Sequence, residues 1–121
     1  MDDKVQKIKC LDVCIGINQF NADGMRPCFN ADPSDGLLDV TSVAEMGVLE
    51  ALRELPGMKD GSFAKNKKVS MNQCKEFSCT HTDYPDLIET DGELIGHTPV
   101  KITVIPKALR FVVNQEPVIG W

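Results

Sequence analysis

Leu11, Val13, Ile15 and Ile17 alternate with Cys10, Asp12, Cys14 and Gly16. A period of two predicts a strand with one buried face. Val100, Ile102 and Val104 alternate in the same way with Lys101 and Thr103, which predicts a second strand. Shorter strand-like pieces lie between them: Leu37 to Thr41, Val69 with Met71, Phe77 with Cys79, Leu87 to Thr90, and Glu93 to Ile95. The last two flank Asp91-Gly92, a dipeptide that suits a two-residue hairpin because both central positions of such a turn take positive φ. Pro106 interrupts the pairing after Val104, and Leu109, Phe111 and Val113 predict a further strand beyond it.

Val48, Leu49, Leu52 and Leu55 share one face at helical spacing. Ser42 suits an N-cap, and Glu45 three residues on would complete a capping box. The pattern therefore predicts one short amphipathic helix at about residues 43–55, stopped by Pro56-Gly57. Its apolar face is expected to pack on the core, with Glu50, Arg53 and Glu54 mostly toward water. Many short antiparallel strands and one helix predict a mainly β fold, an antiparallel β-sandwich or an open barrel. The domain is expected to span residues 1–113, followed by a loosely ordered tail at 114–121.

Composition narrows the classes of function. A chain of 121 residues fits one domain with a real core. Its net charge of −5 argues against a nucleic-acid binder and against membrane anchoring by bulk charge. Lys65-Asn66-Lys67-Lys68 is short and reads as a solvated loop or strand end. The charged start, Met1-Asp2-Asp3-Lys4, leads into no apolar run, so no signal peptide and no spanning helix are expected. Five cysteines at irregular spacing predict a reducing compartment rather than a disulfide framework. Cys74, Cys79 and His81, or Cys10 and Cys14, lack zinc-site spacing. The last two are expected on one strand face as small hydrophobes. The expected location is intracellular, cytoplasmic or at the membrane periphery, and not secreted.

Two short segments carry candidate chemistry. In Asp32-Pro33-Ser34-Asp35-Gly36, Pro33 presets φ, Asp32 can accept backbone N–H groups and Gly36 tolerates positive φ. Asp32, Asp35 and Asp39 concentrate hard oxygen donors there, although the spacing is not that of an EF-hand. On residue chemistry alone an ordinary Pro-Asp turn entering a strand is the favoured reading. Glu93, just past the tight Asp91-Gly92 turn, is either a held carboxylate or an exposed hairpin residue.

Residues 30–40, Asn-Ala-Asp-Pro-Ser-Asp-Gly-Leu-Leu-Asp-Val, and residues 91–111 together resemble the C-terminal domain of the diacylglycerol kinase and sphingosine kinase superfamily. The second block runs Asp91-Gly92-Glu93, Thr98-Pro99, Val100 to Ile105, then Pro106-Lys107-Ala108-Leu109, in the family's order. The resemblance extends over residues 10–113. It implies a Mg²⁺ site built from the Asp35 side chain and the carbonyls of Asp32 and Leu37, with Glu93 as the proton acceptor from a lipid hydroxyl. Where the family carries Gly-Gly-Gly-Met, this chain has Asn21-Ala22-Asp23-Gly24-Met25 and keeps only Gly24-Met25. No glycine-rich phosphate loop occurs in the sequence. ATP as phosphoryl donor therefore implies a nucleotide-binding domain supplied in cis or in trans. The resemblance implies the acceptor side of an ATP-dependent lipid kinase, inactive alone, with a lipid alcohol such as diacylglycerol or a sphingoid base as substrate. Peripheral membrane contact is compatible with that. The alternative is a non-catalytic β-domain that binds lipid or a protein partner.

Overall fold

A computed structural model describes residues 5–80 and 84–112. His81, Val113 and the tail expected at 114–121 lie outside these residues.

Cys10–Gly16 (β1), Leu38–Ala44 (β2) and Val69–Cys74 (β3) form an antiparallel sheet in the order β1-β2-β3. Ile15 pairs with Val40 and Gly16 with Asp39; on the other side Asp39 pairs with Gln73 and Leu38 with Cys74. This register places Val13, Ile15, Leu38, Val40 and Cys74 in one apolar cluster. Glu76–Cys79 (β4) pairs with Val100–Thr103 (β7), and brings Phe77 and Ile102 onto the same cluster. The core thus lies between two antiparallel sheets, and the mainly β, sandwich-like class expected from the sequence is found. Leu87–Thr90 (β5) and Glu93–His97 (β6) form a separate hairpin.

Central strand β2 is buried on both faces from Leu38 to Thr41, where the sequence predicted one. The segment at residues 26–31 covers the second face. Thr41, 1% exposed, donates its hydroxyl to the Pro27 carbonyl at 2.8 Å. The Cys28 thiol lies 3.5 Å from the Asp39 carbonyl. A Cβ at Gly16 would meet that same sulfur at 3.2 Å. The absence of a side chain at Gly16 lets the segment seat.

The helix is present but starts later than expected. It spans Val48–Glu54 (α1), because Ser42 lies within β2, paired with Val13 and Ser70, and cannot cap. Gly47 precedes the helix without a side-chain cap. Strand pairing overrode the local capping signal. The helix ends at Glu54, just before Pro56-Gly57 as expected; a separate short helix, Gly57–Asp60 (α2), follows and is closed by Gly61 at φ +82°, whose N–H reaches the Gly57 carbonyl at 2.9 Å.

The orientation of α1 reverses the expectation. Val48 and Leu49 are 77% and 73% exposed, and Leu52 and Leu55 also point outward. Glu50, Ala51 and Glu54 are the half-buried residues instead, with Glu50 accepting from Lys68 Nζ at 2.7 Å. Leu38–Thr41 of the central strand are already covered on both faces without the leucines of α1. The strand expected at Leu109 and Phe111 is also absent. Lys107 takes φ +57° just after Pro106, and residues 107–112 run as exposed irregular chain. Cys10 and Cys14 both lie on β1 as expected, Cys10 exposed next to a register shift at the start of the strand and Cys14 half-buried.

Candidate functional site

The acidic turn is built by its own side chains. Asp32 Oδ1 accepts from the Ser34 backbone N–H at 2.8 Å and from the Ser34 hydroxyl at 2.6 Å. These bonds, the hydroxyl's first, hold the Asp32 carboxyl below its ordinary pKa. The Asp35 N–H turns back to the Asp32 carbonyl at 3.3 Å, and Asp35 Oδ1 accepts from the Leu37 N–H at 2.8 Å. Gly36 takes φ +74°, as the turn chemistry anticipated. Asp32, Asp35 and Leu37 therefore sit within one turn entering β2. Among the described residues no three His, Cys, Asp or Glu side chains gather as metal ligands. A cation at this turn would depend on one carboxylate, that of Asp35, and on carbonyls of Asp32 and Leu37. All three are hard oxygen donors, and the set suits Mg²⁺ or Ca²⁺ rather than a softer metal.

Asp39 follows on β2 and is only 6% exposed. Burial raises its pKa; the hydrogen bond from Gln73 opposes that, while the charges of Asp35 and Asp32 add to it. Gln73 was not singled out by the sequence. Its Nε2 lies 3.3 Å from Asp35 Oδ2 and 3.3 Å from Asp39 Oδ2. Asn30, Asp39, Met71, Asn72 and Gln73 line a shallow open groove of about 320 Å³ beside this pair.

Glu93 opens β6 opposite Thr90. Asp91 at φ +50° and Gly92 at φ +87° make the two-residue turn that Asp-Gly predicted. The Gly92 N–H donates to Glu89 Oε1 at 3.0 Å, which braces the turn. At the hairpin's base Thr98, 5% exposed, exchanges two bonds with Asp86: its N–H reaches the Asp86 carbonyl at 2.9 Å and its hydroxyl accepts from the Asp86 N–H at 3.0 Å. The backbone under Glu93 is fixed while its carboxylate is exposed and, among the described residues, has no bonded partner. No hydrogen bond or ion pair joins Glu93 to the acidic turn. The two blocks do meet, at Gly36 and Pro106.

The position of the missing glycines keeps a glycine-like backbone. Asp23 takes φ +56° and Gly24 φ +70°. Asp23 is held there by Lys59 Nζ at 2.6 Å, a bond that also depresses its pKa. Arg26 secures the same region, with its N–H on the Met58 carbonyl at 2.8 Å and its guanidinium 4.4 Å from the centre of the Phe29 ring.

The profile of the YegS C-terminal NAD kinase β-sandwich-like domain matches residues 1–113. The chain belongs to this family. A diacylglycerol kinase of Mycobacterium tuberculosis is 32% identical over 88 residues, which are 72% of this chain and 28% of that protein. An uncharacterised protein of Synechocystis sp. is 33% identical over 86 residues, 69% of this chain and 20% of that protein. The chain thus spans between a fifth and somewhat over a quarter of the length of these relatives. No solved structure matches it. The family and its kinase relative agree with the resemblance drawn from residues 30–40 and 91–111. Among the described residues no helix is long and apolar enough to cross a membrane.

Proposed function

We infer that the chain is the acceptor side of an ATP-dependent lipid kinase, acting on a lipid alcohol such as diacylglycerol or a sphingoid base. The observation that carries this reading is the likeness, over most of the chain, to a protein named diacylglycerol kinase, joined to the placement of its two motif blocks on adjoining loops of one β scaffold. Glu93 accepts the proton of the lipid hydroxyl; an exposed carboxylate on a fixed backbone suits that role. Asp35, with the carbonyls of Asp32 and Leu37, holds Mg²⁺, which when bound supplies positive charge and rigidity to the turn. The nucleotide and its phosphate-binding loop come from a further domain, in cis or in trans, since phosphoryl transfer needs both to be positioned. The exposed apolar side chains of the hairpin and the following segment, Leu87, Leu94, Ile95, Ile105 and Phe111, support a role against another unit. The work is then done inside the cell, in the cytoplasm or at the membrane periphery.

The same exposed side chains favour the second reading, a non-catalytic β-domain that binds lipid or a partner. Kinetics of the chain joined to its nucleotide-binding domain separate the two. Glu93→Gln should lower kcat by at least about 10²-fold, the usual scale for loss of a general base. Near-normal turnover would remove Glu93 from the chemistry and leave the binding module as the better account. The chain alone should phosphorylate no lipid.

A further inference from the structure

We propose that Gln73 is a positioning residue for the cation-holding turn, its side-chain amide bridging the carboxylates of Asp35 and Asp39. The inference rests on the reading of Asp35 as the Mg²⁺ ligand. The geometry is that of a fork. One nitrogen, Gln73 Nε2, lies 3.3 Å from Asp35 Oδ2 and 3.3 Å from Asp39 Oδ2. An amide nitrogen has two hydrogens, one for each carboxylate. The reversed amide would aim its oxygen at two negative groups, so only this orientation is stable.

The fork exists because of the strand register. Gln73 faces Asp39 directly across β2 and β3, while Asp35 arrives from the turn four residues earlier. Asp35 has one other hold, the Leu37 N–H on Oδ1. Without Gln73 its second oxygen would be free to rotate away, and the mutual repulsion of the two carboxylates would favour that. A neutral donor suits the task. It fixes both carboxylates and leaves their negative charge available to a cation. Each carboxylate oxygen keeps a second lone pair, so the Gln73 bond and a metal bond can coexist on Asp35. Hydrogen-bond partners of ligating carboxylates contribute about 10-fold or more to metal affinity in general. Gln73 lies exposed on edge strand β3, and its one amide serves both the buried Asp39 carboxylate and the exposed Asp35 carboxylate.

The test is the Mg²⁺ dependence of thermal unfolding of the chain, in the wild type, Gln73→Ala, Gln73→Lys and Asp35→Asn. The wild type should gain thermal stability with Mg²⁺. Gln73→Ala should have a lower Tm in EDTA, because the buried Asp39 carboxylate loses its partner, and above that baseline it should need about 10-fold more Mg²⁺ for the same gain. Gln73→Lys should lose the response, because a tethered ammonium competes for the same oxygens. If Gln73→Ala fails to fold, Gln73→Met keeps the length, drops the donors and makes the same comparison. A wild-type response that Gln73→Ala reproduces at equal Mg²⁺ overturns the role of Gln73 and leaves that of Asp35 intact. No response in the wild type overturns the Asp35 site and this inference with it.

Discussion

Gly36 lies against Pro106: a Cβ added to Gly36 would sit 3.3 Å from both Cβ and Cγ of the proline ring. This contact ties the acidic turn to the segment that closes the Asp-Gly-Glu block. Gly36 also takes φ +74°, where a Cβ meets its own backbone. Gly36→Ala should therefore cost about 1–2 kcal/mol from the backbone alone, with a further penalty from the ring. Urea unfolding checks this. Adding Pro106→Gly, which removes both Cβ and Cγ, should recover the ring's share, giving a coupling of about 0.5 kcal/mol or more between the two sites. Strictly additive effects would mean that the contact carries no energy.

Gly61 is more constrained still. It stops α2 at φ +82°, and a Cβ there would come 2.2 Å from Cε2 of Phe29. A ring cannot yield that distance without leaving Arg26, which stacks on it. Gly61→Ala should destabilise the chain by about 2–4 kcal/mol, combining the left-handed backbone with overpacking. A melting temperature within a degree or two of wild type would show that the Phe29 ring has room to move.

These two glycines also mark where the sequence could and could not be read. The acidic turn and the Asp91-Gly92 hairpin were legible, because Pro, Asp and Gly fix φ locally and need no partner. The alternation in β7 was legible because it marks the face the strand turns to the core. What failed depends on distant pairing. Ser42 and Glu45 form a good capping box on paper, but Ser42 is claimed by Val13 and Ser70 across the sheet. The close approach of the Phe29 ring to Gly61 joins residues 32 positions apart in the chain, which no local pattern announces. Gln73 carried no signal at all; only the register that places it opposite Asp39 brings it to Asp35. Asp23 kept the backbone of a lost glycine through Lys59, an ion pair that no local pattern announces.

The outward face of α1 gives a third prediction. Had Leu49 and Leu52 packed in the core, removing them would cost several kcal/mol. They are 73% and 56% exposed, so Leu49→Gln with Leu52→Gln should change the stability of the chain by no more than about 0.5 kcal/mol. The double variant should also be less prone to self-association, since it breaks an apolar stripe. A loss of more than about 2 kcal/mol on unfolding would return the helix to the core that its spacing suggested.

The last prediction concerns Cys14. Its thiol donates to Asp12 Oδ2 at 3.3 Å on the half-buried side of β1. Burial first, then the charge of Asp12 and the hydrogen bond to it, push its pKa from 9.0 up to about 12. The thiolate is the nucleophile in alkylation, and at pH 8 a group with that pKa is ionised to about one part in ten thousand. Iodoacetamide at pH 8 should therefore modify exposed Cys10 well before Cys14, as read by peptide mass spectrometry. The linkage has a definite sign. A thiol whose folded pKa lies above its unfolded one supports the fold fully below the unfolded value and loses that support as pH rises. Stability should therefore decline between about pH 9 and 12, and Cys14→Ala should flatten that decline. Equal alkylation rates at Cys10 and Cys14, or an unchanged alkaline slope in the variant, would show that Cys14 is not buried against Asp12 in solution.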